Sequence, residues 1–149
     1  MKQKTLRLIL VGYGQLGEQL TRLVTAEACC RPVAVVDPNR RALDKATSLY
    51  QLSTFPTLEK ALAATQADVA VIDTAPQHAY ALAETALEHG LHVIVMKPLK
   101  NSPELAAAAK ARQRKLHFAP DALGARDYLK GLEAALRDKA PGRASRGNR

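Results

Sequence analysis

Residues 6–17 read Leu-Arg-Leu-Ile-Leu-Val-Gly-Tyr-Gly-Gln-Leu-Gly, and no other segment limits the possible folds so tightly. The branched, nearly continuous apolar run at 6–11 is the pattern of a strand buried on both faces. Gly12, Tyr13, Gly14, Gln15, Leu16 and Gly17 follow at once in the spacing G-x-G-x-x-G. Leu16, Leu20, Leu23 and Val24 then recur at helical intervals. A second apolar run at 33–36 ends at Asp37, 20 residues past Gly17. Strand, glycine loop, helix, strand and acid, in that order, are the parts of a β-α-β unit that takes a dinucleotide. Gly12 permits the tight turn, Gly14 lets the backbone approach a pyrophosphate, and Gly17 lets the helix pack closely on the sheet. The phosphates would rest on free N–H groups at the helix N-terminus. Asp37 would accept hydrogen bonds from the adenosine ribose. A carboxylate there favours NAD, whereas Arg40 and Arg41 leave NADP open.

The same alternation continues along the chain. Helical spacing at Ala42, Ala46 and Leu49 precedes a short strand at Thr54 and Phe55. Thr57 is a helix cap with Glu59 in the first turn. A strand is expected at 69–72, a helix at 79–89 stopped by Gly90, and a strand at 93–96. Ser102-Pro103-Glu104 is a well-formed helix start. A sixth strand at 116–119 and an amphipathic helix carrying Tyr128, Leu129, Leu132 and Leu136 complete the pattern. This predicts an α/β fold, a Rossmann-like doubly wound parallel sheet in a single domain. The expected domain covers 1–137, with 121–137 as a bridging amphipathic helix and 138–149 as a basic disordered tail. A length of 149 residues suits one such domain.

Net charge is +8, which raises the question of nucleic acid. Lys2, Lys4, Arg7, Lys139, Arg143, Arg146 and Arg149 carry seven of those charges at the two ends, and residues 8–138 sum to +1. A nearly neutral body is a poor groove for a phosphate backbone, so nucleic acid is not an expected partner. Cys29 and Cys30 are adjacent and cannot staple distant segments; they read as two small half-buried residues before a strand. Without a disulfide framework, a reducing compartment is favoured, and the expected location is cytoplasmic. His78, His89, His92 and His117 do not pair with cysteine at a zinc-ligand interval, so no metal is expected. No segment is apolar for long enough to span a membrane.

From residue 6 to about residue 116 the sequence resembles the nucleotide-binding domain of the Gfo/Idh/MocA oxidoreductases. The residues that carry the resemblance are the glycine loop, Val35-Val36-Asp37-Pro38, Asp68-Val69-Ala70-Val71-Ile72, Ala86-Leu87-Glu88-His89-Gly90 and His92-Val93-Ile94-Val95-Met96-Lys97-Pro98. Family members typically read Glu-Lys-Pro where this chain has Met96, Lys97 and Pro98. The resemblance implies a nicotinamide cofactor and CH–OH oxidoreductase chemistry. It places Lys97 near the nicotinamide as the catalytic residue, assisting substrate binding and proton transfer. Thr74-Ala75-Pro76-Gln77-His78 resembles a family loop in which Thr74 and Pro76 would line the cofactor, with Pro98 close by. His78 falls one place from the position expected of the family histidine and reads equally as an exposed helix-start residue. Family enzymes also carry a second, sheet-rich domain with most substrate contacts. Phe118-Ala119-Pro120 and the Tyr128 helix resemble the segment bridging to it. The expectation is therefore a cofactor-binding unit without a complete substrate site. A homodimer over the exposed sheet end, or a separate catalytic-domain subunit, would complete it; the Tyr128, Leu132 and Leu136 stripe suits such an interface and equally an intramolecular packing face. A nucleotide-sensing regulatory module is the alternative.

Overall fold

In a computed structural model describing residues 5–96 and 99–138, the first apolar run becomes β1 (Leu6–Val11) at the centre of a six-stranded sheet. Around it stand β2 (Cys30–Val36), β3 (Ser53–Phe55), β4 (Val69–Ile72), β5 (His92–Met96) and β6 (Leu116–Ala119). All pairings are parallel and the order is β3-β2-β1-β4-β5-β6. A strand covered on both faces must be apolar along its buried length, which explains the unbroken run in β4 and the nearly unbroken ones in β1 and β5, where Arg7 and His92 stand near the strand starts. Leu6, Leu8 and Leu10 face one layer, and Ile9 and Val11 the other.

The intervening helices are α1 (Gln15–Thr25), α2 (Arg40–Tyr50), α3 (Leu58–Ala64), α4 (Pro76–Glu88), α5 (Pro103–Arg112) and α6 (Ala122–Asp138). α1 and α6 cover the Leu8 face, while α3, α4 and α5 cover the Ile9 face. Between β1 and β2 the register slips at Leu8/Ile9, opposite Pro32, which has no N–H for the ladder. Helix starts follow local chemistry. Asn39 Oδ1 accepts from Arg41 N–H (2.9 Å), Thr57 Oγ1 from Lys60 N–H (3.3 Å) and Ser102 Oγ from Leu105 N–H (3.1 Å).

Several local expectations are revised. α4 begins at Pro76, a turn before residue 79, because proline suits a first helical position where its missing N–H costs nothing. α6 continues through Asp138, so the expected tail boundary at 138 falls inside a helix; 139–149 lie outside the described residues. Cys29 and Cys30 are fully buried, not half-buried, with their Sγ atoms 3.4 Å apart and Cys30 opening β2. Arg7 is no tail charge: its guanidinium donates to both oxygens of Asp68, at 3.1 and 3.2 Å, and so ties β1 to the start of β4. The stripe read as a candidate dimer surface is largely spent within the chain. Leu132 is buried, Tyr128 and Leu136 pack on the α1 layer, and the Tyr128 ring stacks on His117 of β6 at 4.0 Å.

Candidate functional site

The C-terminal ends of β1, β2 and β4 converge on the glycine loop. Gly12 N–H donates to the Val36 carbonyl (2.7 Å), and Asp73 N–H donates to the Val11 carbonyl (2.9 Å). Gly12 has φ +93°, and a Cβ there would overlap the Asp73 carbonyl oxygen. Only glycine closes this seam without strain. Gly14 precedes α1 and provides no side-chain cap. Its Cβ position meets no atom within 4 Å, so the space over the first turn of α1 is open. Uncapped N–H groups at a positive helix end, reached across an open glycine, form a cradle that suits phosphate oxygens. Gly17 refines the expectation made for it. An added Cβ would lie 3.0 Å from the Gly12 carbonyl oxygen and 3.2 Å from the Tyr13 ring, so this glycine lets α1 close on the loop itself.

Asp37 follows β2 directly. Its Oδ2 accepts from Tyr13 N–H and its Oδ1 from Asn39 N–H, both at 2.8 Å. The carboxylate is thereby held in place with lone pairs left for a ligand's hydroxyls. It borders a cleft of about 590 Å³ that Gly12, Thr57, Asp73, Thr74 and His78 also line. That volume is in the usual range for a small-molecule site. Thr74 Oγ1 is buried there without a hydrogen-bond partner among the described residues.

The other expected positions separate by place. Tyr13 contributes its backbone N–H, while its ring is buried on the α1 side. Burial pushes its phenol up; Thr21, which acts in the opposite direction, gives its own hydroxyl hydrogen to the Gly17 carbonyl. Gln15 is exposed at the start of α1, and Leu16 and Gly17 border a second, smaller hollow. Arg41 is exposed in the first turn of α2, beside Arg40, which pairs with Asp44 at 3.5 Å. Pro76 is exposed as the first residue of α4 and is not part of the cleft lining. Lys97 and Pro98 lie outside the described residues. Asp73 was missed by the sequence reading. It borders both the cleft and the smaller hollow, and burial holds its carboxyl above the ordinary value. The available signal was its position: like Asp37, it is the acid that ends an apolar strand. Among the described residues no group of three or more His, Cys, Asp or Glu could hold a metal ion.

Solved structures share this fold. The WlbA dehydrogenase from Chromobacterium violaceum, in complex with NADH and UDP-GlcNAcA, is 22% identical with a TM-score of 0.73; the match covers 80% of this chain and 36% of that one. The Synechocystis biliverdin reductase, with biliverdin and NADP+, is 20% identical with a TM-score of 0.71, covering 76% and 37%. An NAD-binding protein from Listeria innocua is 29% identical with a TM-score of 0.66, covering 78% and 35%. The match thus spans little more than a third of each of these chains. A search of curated proteins finds no match. Residues 6–119 match the family model described as "Oxidoreductase family, NAD-binding Rossmann fold". Glycine loop, strand-ending acid and sheet order therefore agree with the sequence comparison, and the chain belongs to the Gfo/Idh/MocA family, whose NAD(P)-binding domain it contains.

Proposed function

We propose that this chain binds NAD in extended form across the C-terminal edge of its sheet and serves as the cofactor-binding unit of an oxidoreductase acting on CH–OH groups. The observation that carries this is Asp37, fixed by two backbone N–H groups at the lip of a 590 Å³ cleft beside an uncapped helix N-terminus. Asp37 would take the adenosine ribose hydroxyls, Gly14 and the first turn of α1 the pyrophosphate, and Thr74 the wall of the cleft. Bound there, the nicotinamide supplies hydride exchange. Lys97 is the proposed catalytic residue, an ammonium able to hold a reacting hydroxyl and ease its deprotonation. NADP would bind more weakly, since Asp37 repels a 2′-phosphate and Arg41 offsets that only in part.

Among the described residues there is a single sheet, and none forms a second sheet-rich unit. Substrate contacts would come from beyond this sheet, whether from a further domain, a second copy or another subunit. No described helix is long and apolar enough to cross a membrane. The adjacent free thiols of Cys29 and Cys30 suit a reducing compartment, and the cytoplasm is the location we propose. Isothermal calorimetry with NADH tests the central claim. Heat of binding that falls sharply in Asp37→Ala is expected; no heat, together with melting that ignores nucleotide, would end the reading.

A further inference from the structure

Asp73 is the first residue past β4, and sheet register fixes its neighbour. Ile72 pairs with Val95 of β5, so one step further sets Asp73 beside Met96 at the sheet edge. Val69 and Val71 face the α1 layer, as Met96 does, and Asp73 borders the hollow on that side as well as the larger cleft. Asp73 and Met96 border a hollow of about 10 Å³ together with Gly12 and Leu16. That space takes no more than one water, so a ligand would lie over it. No described side chain forms a hydrogen bond or ion pair with the Asp73 carboxylate.

The sheet order gives this acid a counterpart. β2 and β4 flank β1 on either side, so Asp37 and Asp73 end strands about 10 Å apart, with the N-terminus of α1 at the end of the strand between them. The edge therefore presents carboxylate, positive helix end, carboxylate. A dinucleotide presents ribose diol, pyrophosphate, ribose diol. We propose that Asp73 accepts hydrogen bonds from the second ribose, the one bearing nicotinamide, and so selects a whole dinucleotide over its ADP half. The proposal rests on the dinucleotide reading above. The other consequence of an acid at this point, repulsion of the pyrophosphate, has the opposite sign in binding and can be separated from it.

Calorimetry on the full chain with ADP, ADP-ribose and NADH decides the matter. The expected result is that ADP-ribose binds about tenfold more tightly than ADP, the worth of a hydrogen bond to a charged acceptor. Asp73→Ala should abolish that margin, with ADP affinity changed less than twofold. Asp73→Asn, which keeps an acceptor oxygen and the shape, should retain part of it and serves if the alanine variant does not fold. Asp37→Ala should weaken ADP and ADP-ribose alike. A margin that survives in both Asp73 variants overturns the proposal, as does ADP affinity that rises when the charge is removed. Failure of all three ligands to bind the unaltered chain would instead overturn the dinucleotide reading, and the proposal with it.

Discussion

The two ends of the sheet's C-terminal edge are finished to different degrees. At the β2 end, Asp37 is tied down by Tyr13 and Asn39 N–H groups and opens on a cleft of about 590 Å³. At the β4–β5 end, Asp73 borders the far side of that cleft but has no side-chain partner among the described residues, and the hollow it shares with Met96 measures about 10 Å³. One end is a walled socket; the other is a floor with a single acid. The socket's affinity should depend on this chain alone. The floor leaves its upper side for another surface to cover.

The largest expected effect comes from the seam joining the ends. Gly12→Ala forces a side chain onto φ +93° and into the Asp73 carbonyl, and should cost on the order of 3 kcal/mol, read as a large drop in Tm. An unchanged melt would mean the two ends are not locked together at that point. Next comes Asp37→Ala, expected to weaken NADH about tenfold or more by calorimetry, with a smaller loss of stability because Tyr13 and Asn39 N–H lose their acceptor. Equal binding would remove the socket from the comparison.

Asp73→Asn should act in the other direction on stability. Burial raises the folded carboxyl above its ordinary value of 3.8, so the folded chain holds the proton more tightly than the unfolded one. Its stabilising contribution is complete below that value and is lost as pH rises through the raised folded value. The asparagine variant should therefore melt slightly higher than the unaltered chain near neutral pH and equally near pH 3. A lower Tm at neutral pH would show that the ionised acid is already held in place, as Asp37 is. The smallest effect belongs to Arg41→Ala. Its side chain is exposed, so stability and NADH affinity should stay within about 0.5 kcal/mol, while NADP binding weakens two- to threefold. A loss of NADH affinity would extend the socket onto α2.

Much of this was legible in advance because its signals are local. A strand buried on both faces shows as an apolar run, and Gly12, Gly14 and Asp37 sit at fixed intervals from β1. What was not legible depends on residues far apart in the chain. Arg7 looked like part of a basic end until it met Asp68, 61 residues on. Tyr128 and Leu132 read equally as a partner surface or an internal face until α6 packed beside α1. That Pro76 opens α4 rather than ending a loop depended on its fit in the first helical turn. The pairing of Asp73 with Met96 requires the order of β4 and β5, and no interval in the sequence encodes it.

The position of β1 between β2 and β4 also bears on assembly. The cleft is lined from three stretches of chain, within residues 11–38, 56–59 and 73–82. A growing or refolding chain that has completed only its first β-α-β unit possesses the glycine loop and Asp37 but no enclosed site. A nucleotide can then reward only the chain in which β4 has docked, shifting the population toward the complete sheet by mass action. Long-range parallel pairing is slow to form, and this sheet needs a strand some 60 residues downstream to be closed. Bound cofactor would thus act as a latch on the docking of β4 as well as a reagent.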